Sequence, residues 1–241
     1  MKASHADQLL ILDIQNFDIQ SATLKNKAAA LPEHAEITST TNKSNTARDL
    51  RIAAETELND VNRELARAEG DVEQIVTRIE RDEKRLSSGT GTPKELEQTQ
   101  HELGTLGARR KELEEVELEI MMRVDSLKDR ITGLKAEEAD FAAVIADLNI
   151  RKENALASIN NQLEGIESDR ASVAQSVSPE LLALYEKIRL DGGMGAAVLA
   201  GNQCKGCNLT INTIEIQRIN GLPEDDVVRC EECRCILVRT K

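Results

Sequence analysis

Aromatic side chains are nearly missing from this chain: 241 residues hold two Phe, one Tyr and no Trp. Phe17, Phe141 and Tyr185 are too few to fill an ordinary globular core of this length. With four Pro and thirteen Gly, long stretches carry no helix breaker. Long apolar runs are missing too. The start, "MKASHADQLLILDIQNFDIQ", has an apolar run of four before Asp13, so it reads as neither a secretory leader nor a membrane span. No cysteine occurs before residue 204. These absences point to a cytoplasmic protein with reduced thiols, built mainly from long helices.

Charge is abundant and unevenly placed. The net charge is -12, yet residues 204–241 hold six basic and six acidic side chains. The whole acidic excess therefore lies in residues 1–203. An acidic long segment repels phosphate, which excludes broad, sequence-blind coating of nucleic acid. Any nucleic-acid contact has to be local.

Stepping alternately by three and four residues from Leu96 reaches Leu103, Leu106, Leu113, Ile120, Val124, Leu127, Ile131 and Leu134, and continues through Phe141 and Leu148 to Val173. Thr99 and Glu138 are among the polar exceptions. A period of 3.5 residues is a coiled-coil seam, and scattered polar positions fix its register. Such an arm would be on the order of 115 Å long. A matching walk runs from Ala54 through Leu58, Val61, Leu65 and Val72 to Ile79, and fades over residues 35–50. "SSGTGTP", Ser87 to Pro93, separates arms of nearly equal length, 5–86 and 94–176. Equal arms around one break predict an antiparallel hairpin over residues 1–177. "SPELLALYEKIRL" then predicts a short helix capped by Ser178 with Pro179 in its first turn. "DGGMG", Asp191 to Gly195, reads as a flexible hinge that completes residues 178–194. A phosphate cradle at Gly193 and Gly195 is the rival there, without the lysine and flanking strand that such loops need.

Four of the five cysteines form C-x2-C-x22-C-x2-C: Cys204, Cys207, Cys230 and Cys233. Two short knuckles joined by an insertion suit a tetrahedral zinc ion, Zn2+, and zinc would supply folding energy that residues 195–241 cannot draw from their own core. A disulfide or redox pair is the rival reading, although no βαβ unit surrounds either pair. Cys235 opens a strand and is expected to be a small, half-buried residue there. His5, His34 and His101 are far apart, and no nucleophile and base form a recognisable pair, so no enzyme is expected.

The order of parts, long hairpin, "SPELLALYEKIR", glycine-rich joint, "GNQCKGCNLTI" and "VVRCEECRCIL", resembles the bacterial family of zinc-ribbon proteins with an N-terminal coiled-coil hairpin. Pro93, Lys94, Glu95 and Leu96 occupy the places where that family opens its second helix. In many relatives a glycine and an arginine follow the fourth cysteine; here Arg234 and Cys235 do. The resemblance implies a mainly α fold with a small β-rich C-terminal ribbon, zinc on the four cysteines, and a regulatory or nucleic-acid-binding role. Some relatives are associated with flagellar gene expression. RNA or DNA would meet the ribbon, with Lys205, Arg218, Arg229, Arg234 and Arg239 as candidate phosphate contacts. The rival is a protein-interaction scaffold in which a transcription-related or other protein meets the hairpin and zinc is purely structural. Neither reading involves a membrane or a small-molecule substrate. The hinge further predicts that chelation melts the ribbon beyond about residue 195 and leaves the helices intact.

Overall fold

The computed structural model describes residues 1–192 and 194–240. Helix α1 (His5–Ala29) starts at Ser4, whose hydroxyl accepts the Asp7 N–H at 3.0 Å. The first arm does not run unbroken from 5 to 86: α2 (Pro32–Ser87) begins anew after Ala30 and Leu31. Pro32 has no N–H to give the preceding turn and disfavours helical geometry at Leu31. The reversal falls where expected. Gly89 and Gly91 take φ of +64° and +142°, and α3 (Pro93–Gln175) opens with a reciprocal cap. There the Thr92 N–H donates to Glu95 Oε2 at 2.7 Å and the Glu95 N–H to Thr92 Oγ1 at 3.4 Å. Helix α4 (Pro179–Gly192) follows.

The chain divides into two compact units, residues 35–149 and residues 1–34 with 150 onward. In the first, α2 and α3 bury the expected seam, with Val61, Val124 and Leu127 at its centre and Leu58, Leu65 and Ile120 beside them. Two of its polar exceptions have partners. Thr99 is buried and donates to the Glu95 carbonyl at 2.9 Å; Glu138 accepts from Arg51 Nε of the other arm at 2.6 Å. Between 35 and 50 the helix is continuous, and Ala47 is the only buried residue.

The second unit holds a four-stranded sheet in the order β2-β1-β4-β3. Strands β1 (Ala196–Ala200) and β4 (Ile236–Arg239) run parallel at its centre; β2 (Gln203–Cys204) and β3 (Val228–Arg229) flank them. Alternation gives the central strands two buried faces. Ala196, Ile236 and Val238 share a core with Ile11 and Ile14 of α1 and Leu181, Tyr185 and Ile188 of α4. Ala197, Leu199 and Leu237 pack with the cysteines and Ile219. The residues before α1 join in as well: the Ala3 N–H donates to the Asp225 carbonyl at 2.8 Å and the Val227 N–H to that of Met1 at 3.1 Å.

Two further details depart from the sequence expectation. The 22-residue insertion contains a helix, α5 (Thr213–Asn220), capped by Asn212, whose Oδ1 accepts the Ile214 N–H at 2.9 Å. Gly195, expected in a flexible hinge, is fixed. Its N–H donates to Gln15 Oε1 at 2.7 Å and its carbonyl accepts the Ile236 N–H at 2.9 Å. A Cβ here would lie 2.4 Å from the Tyr185 ring, so only glycine fits. With its amide engaged, Gly195 offers nothing to a phosphate, and Gly193 lies outside the described residues.

Candidate metal centre

Strand β1 turns at Gly201 and returns as β2 to deliver Cys204; β3 delivers Cys230. From those two cysteines the chain makes the same turn twice. In "CKGCN" the Asn208 N–H donates to the Cys204 carbonyl at 2.8 Å, and in "CEECR" the Arg234 N–H donates to the Cys230 carbonyl at 3.0 Å. Asn208 and Arg234, each following the second cysteine of its knuckle, both take positive φ, 60° and 61°. Such a turn aims amides at sulfur. Gly206 N–H reaches Cys204 Sγ at 3.4 Å, the Leu209 amide faces Cys207, the Glu232 amide faces Cys230, and the Cys235 amide faces Cys233. Cys230 takes the Cys233 amide as well, three residues on; the other donors lie two residues beyond their acceptors.

The four sulfurs lie within 4.8 Å of one another and are placed to hold one metal ion. Cys204 and Cys233 are 3.8 Å apart, Cys207 and Cys230 3.9 Å. All five cysteines are free thiols. The environment sorts them. Burial pushes Cys230 up to about 12, whereas at Cys233 burial is outweighed by the Cys235 amide and neighbouring thiols, which bring it to about 7. A thiolate is the form a metal binds. Cys235 is not the half-buried strand residue expected. It lies just before β4, is wholly buried among the sulfurs, and burial holds its thiol up.

The structure brings the four predicted ligands together but gives most of the predicted phosphate contacts other work. Arg239 donates to four main-chain carbonyls, those of Ile219, Leu222, Pro223 and Asp226, and so ties α5 and the loop after it to β4. Arg229 donates to the Arg234 carbonyl at 2.9 Å, Arg218 pairs with Glu215, and Lys205 donates to Gln203 at 2.6 Å. Arg234 alone of the five has no side-chain bond among the described residues.

Residues 14–193 match the model of the CT398-like coiled coil hairpin domain. The chain belongs to that family. An uncharacterized protein of Mycobacterium tuberculosis is 35% identical over 247 residues, 99% of this chain and 98% of its own. One of Mycobacterium leprae is 25% identical over 232 residues, 95% and 98% of the two chains. A solved Mycobacterium smegmatis structure superposes with a TM-score of 0.88 at 28% identity, covering 99% of this chain and 100% of that one. CT398 of Chlamydia trachomatis shares the fold, with a TM-score of 0.70 at 18% identity over 98% of each chain. The CT398-like match stops before the cysteines, so the metal centre rests on its own geometry.

Inside the CT398-like stretch lies a polar cluster that the sequence reading missed. Tyr185 donates to Asp18 Oδ2 at 2.7 Å; Arg170 donates to both Asp18 oxygens, at 2.8 and 3.1 Å, and pairs with Glu186. Arg189 Nη2 meets Glu186 at 2.8 Å. Burial works against the Asp18 carboxylate, but Arg170 and Tyr185 outweigh it and hold its pKa below the usual range. Gln15 Oε1 gathers the Gly195 and Ala196 N–H groups at 2.7 and 3.1 Å. Nothing in a heptad pattern marks Asp18, because its partners Arg170 and Tyr185 lie over 150 positions away in sequence. No helix of the described residues is long and apolar enough to cross a membrane.

Proposed function

We propose that this chain is a non-enzymatic adaptor of the cytoplasm whose ribbon is built around one structural zinc ion and whose partner is a protein. A zinc–thiolate bond of about 2.3 Å implies tetrahedral edges of about 3.8 Å, in keeping with the sulfur separations of 3.8 and 3.9 Å. Cys204, Cys207, Cys230 and Cys233 would fill all four positions, leaving none for water or substrate.

The observation that supports a protein partner is the engagement of the ribbon's basic side chains. Four of the five candidates bond to their own chain, and a phosphate would compete with those bonds for the same side chains. This favours the scaffold over the nucleic-acid reading. Unit 35–149 supports it further, because α3 leaves Leu118, Met121 and Met122, which share one helix face, exposed. Exposed apolar clusters with methionine suit a protein partner.

A salt titration of zinc-loaded protein against single-stranded RNA and duplex DNA tests this. Affinity that does not rise as salt is lowered is the expected result. Tight binding that weakens steeply with salt would restore phosphate as the ligand.

A further inference from the structure

Cys235 is the thiol beside the metal centre that the tetrahedron leaves over. Its Sγ lies 3.3 Å from that of Cys233 and 3.7 Å from that of Cys204. Both knuckles converge on it. A Cβ on Gly206, in the first knuckle, would meet Cys235 Sγ at 3.3 Å and the Ala197 Cβ at 3.0 Å, so "CKGC" needs its glycine partly to lie over this sulfur. In the second knuckle the Cys230 N–H donates to the Cys235 carbonyl at 3.0 Å, and the Cys235 N–H faces Cys233 Sγ. The four sulfurs within 4.8 Å of one another are those of Cys204, Cys207, Cys230 and Cys233, and Cys235 is not among them.

We propose that Cys235 is a positioning residue of the metal centre, whose single S–H donates to the thiolate of Cys204. The inference rests on the four-thiolate zinc reading above. A thiolate that accepts a further hydrogen bond is stabilised as the anion and is a weaker nucleophile, and outer-shell donors of this kind orient ligands and slow their loss. Water is excluded from this side of the site, because Cys235 is wholly buried, so no solvent donor can replace the S–H.

The full chain, loaded with zinc, is compared with Cys235→Ser, which keeps a donor, and Cys235→Val, which fills the site with a slightly larger side chain that has none. Zinc release to a chromophoric chelator and the sulfur-to-metal charge-transfer band of the cobalt(II) form are the readouts. Cys235→Val should release zinc about tenfold faster, in line with other outer-shell losses, and its cobalt band should move to lower energy. Cys235→Ser should stay near the parent in both. A valine variant that matches the parent would show that the sulfur only fills space, and a serine variant that matches valine would remove the hydrogen bond from the explanation. Loss of metal from both purified variants would make Cys235 a ligand and overturn the positioning role. A parent chain that takes up no tetrahedral cobalt would overturn the zinc reading itself, a result separate from any difference between variants.

Discussion

Residues 35–149 and the unit formed by residues 1–34 and 150 onward are held together in opposite ways. In the first, one kind of contact repeats: an apolar residue of α2 against apolar residues of α3, as at Val61, Val124 and Leu127. No single member is unique, and a lost methyl group is felt locally. In the second, single residues each hold several others. Gln15 Oε1 fixes two amides, Arg239 fixes four carbonyls, and four sulfurs define one site. A repeating seam tolerates change; a set of unique contacts fails at one stroke. Every prediction below tests that contrast.

Metal removal should separate the two units most strongly, since a structural zinc site contributes on the order of 10 kcal/mol to folding. The original expectation that a chelator would melt only the ribbon needs revision. β1 and β4 share a core with α1 and α4, so amides of those helices should lose hydrogen-exchange protection together with the ribbon. Protection over residues 35–149 should persist. Mild acid should act in the same direction, because protons compete with the metal for thiolates. Unchanged protection in α1 and α4 after chelation would show that the helical face of the sheet stands without its metal face.

Gly195→Ala comes next. Its Cβ would sit 2.4 Å from the Tyr185 ring, and the ring is wholly buried with its hydroxyl bonded, so it has nowhere to go. A loss of about 3 kcal/mol is expected, the upper part of the usual overpacking range. Val61→Ala in the seam, which is equally buried, should lose about 2 kcal/mol. Chemical denaturation followed by exchange in each unit measures both. The contrast would be broken if Val61→Ala opened the ribbon unit or if Gly195→Ala were neutral.

The same contrast explains what could be read from the sequence. The hairpin was legible because its signal is repetition, visible one heptad at a time, and because Ser87 to Pro93 carries local turn chemistry. The four cysteines were legible because ligand spacing is a local signal as well. Gln15, Asp18 and Arg170 were not, since a polar residue that binds a partner far along the chain looks like any solvated one. The four carbonyls around Arg239 were not legible for the same reason, since a basic side chain near a knuckle carries no local sign of them. Pro32 was visible, and the break it causes was missed because two arms of nearly equal length around Ser87 to Pro93 invited one continuous helix. Helix α5 was missed because eight residues are too few for a period to show.

The smallest effect expected lies in the second knuckle. Arg234 and Asn208 occupy equivalent positions with φ of 61° and 60°, but they are not equally suited to them. Asparagine visits the left-handed region readily, whereas arginine has a Cβ clash there without a short polar side chain to offset it. Its φ is imposed by the turn, since the Arg234 N–H must reach the Cys230 carbonyl. Arg234→Gly should therefore stabilise the zinc-loaded protein by up to about 1 kcal/mol, the strain relieved less the entropy glycine adds to the unfolded chain. Asn208→Gly should gain less. Arg229, which donates to the Arg234 carbonyl and not to its side chain, keeps its partner in the variant, so the backbone effect is isolated. Denaturation midpoints of the two glycine variants and of Arg234→Ala complete the comparison. Arg234→Ala retains the Cβ and should show no gain; a gain equal to that of glycine would mean that the guanidinium, and not the backbone angle, is the source of the strain.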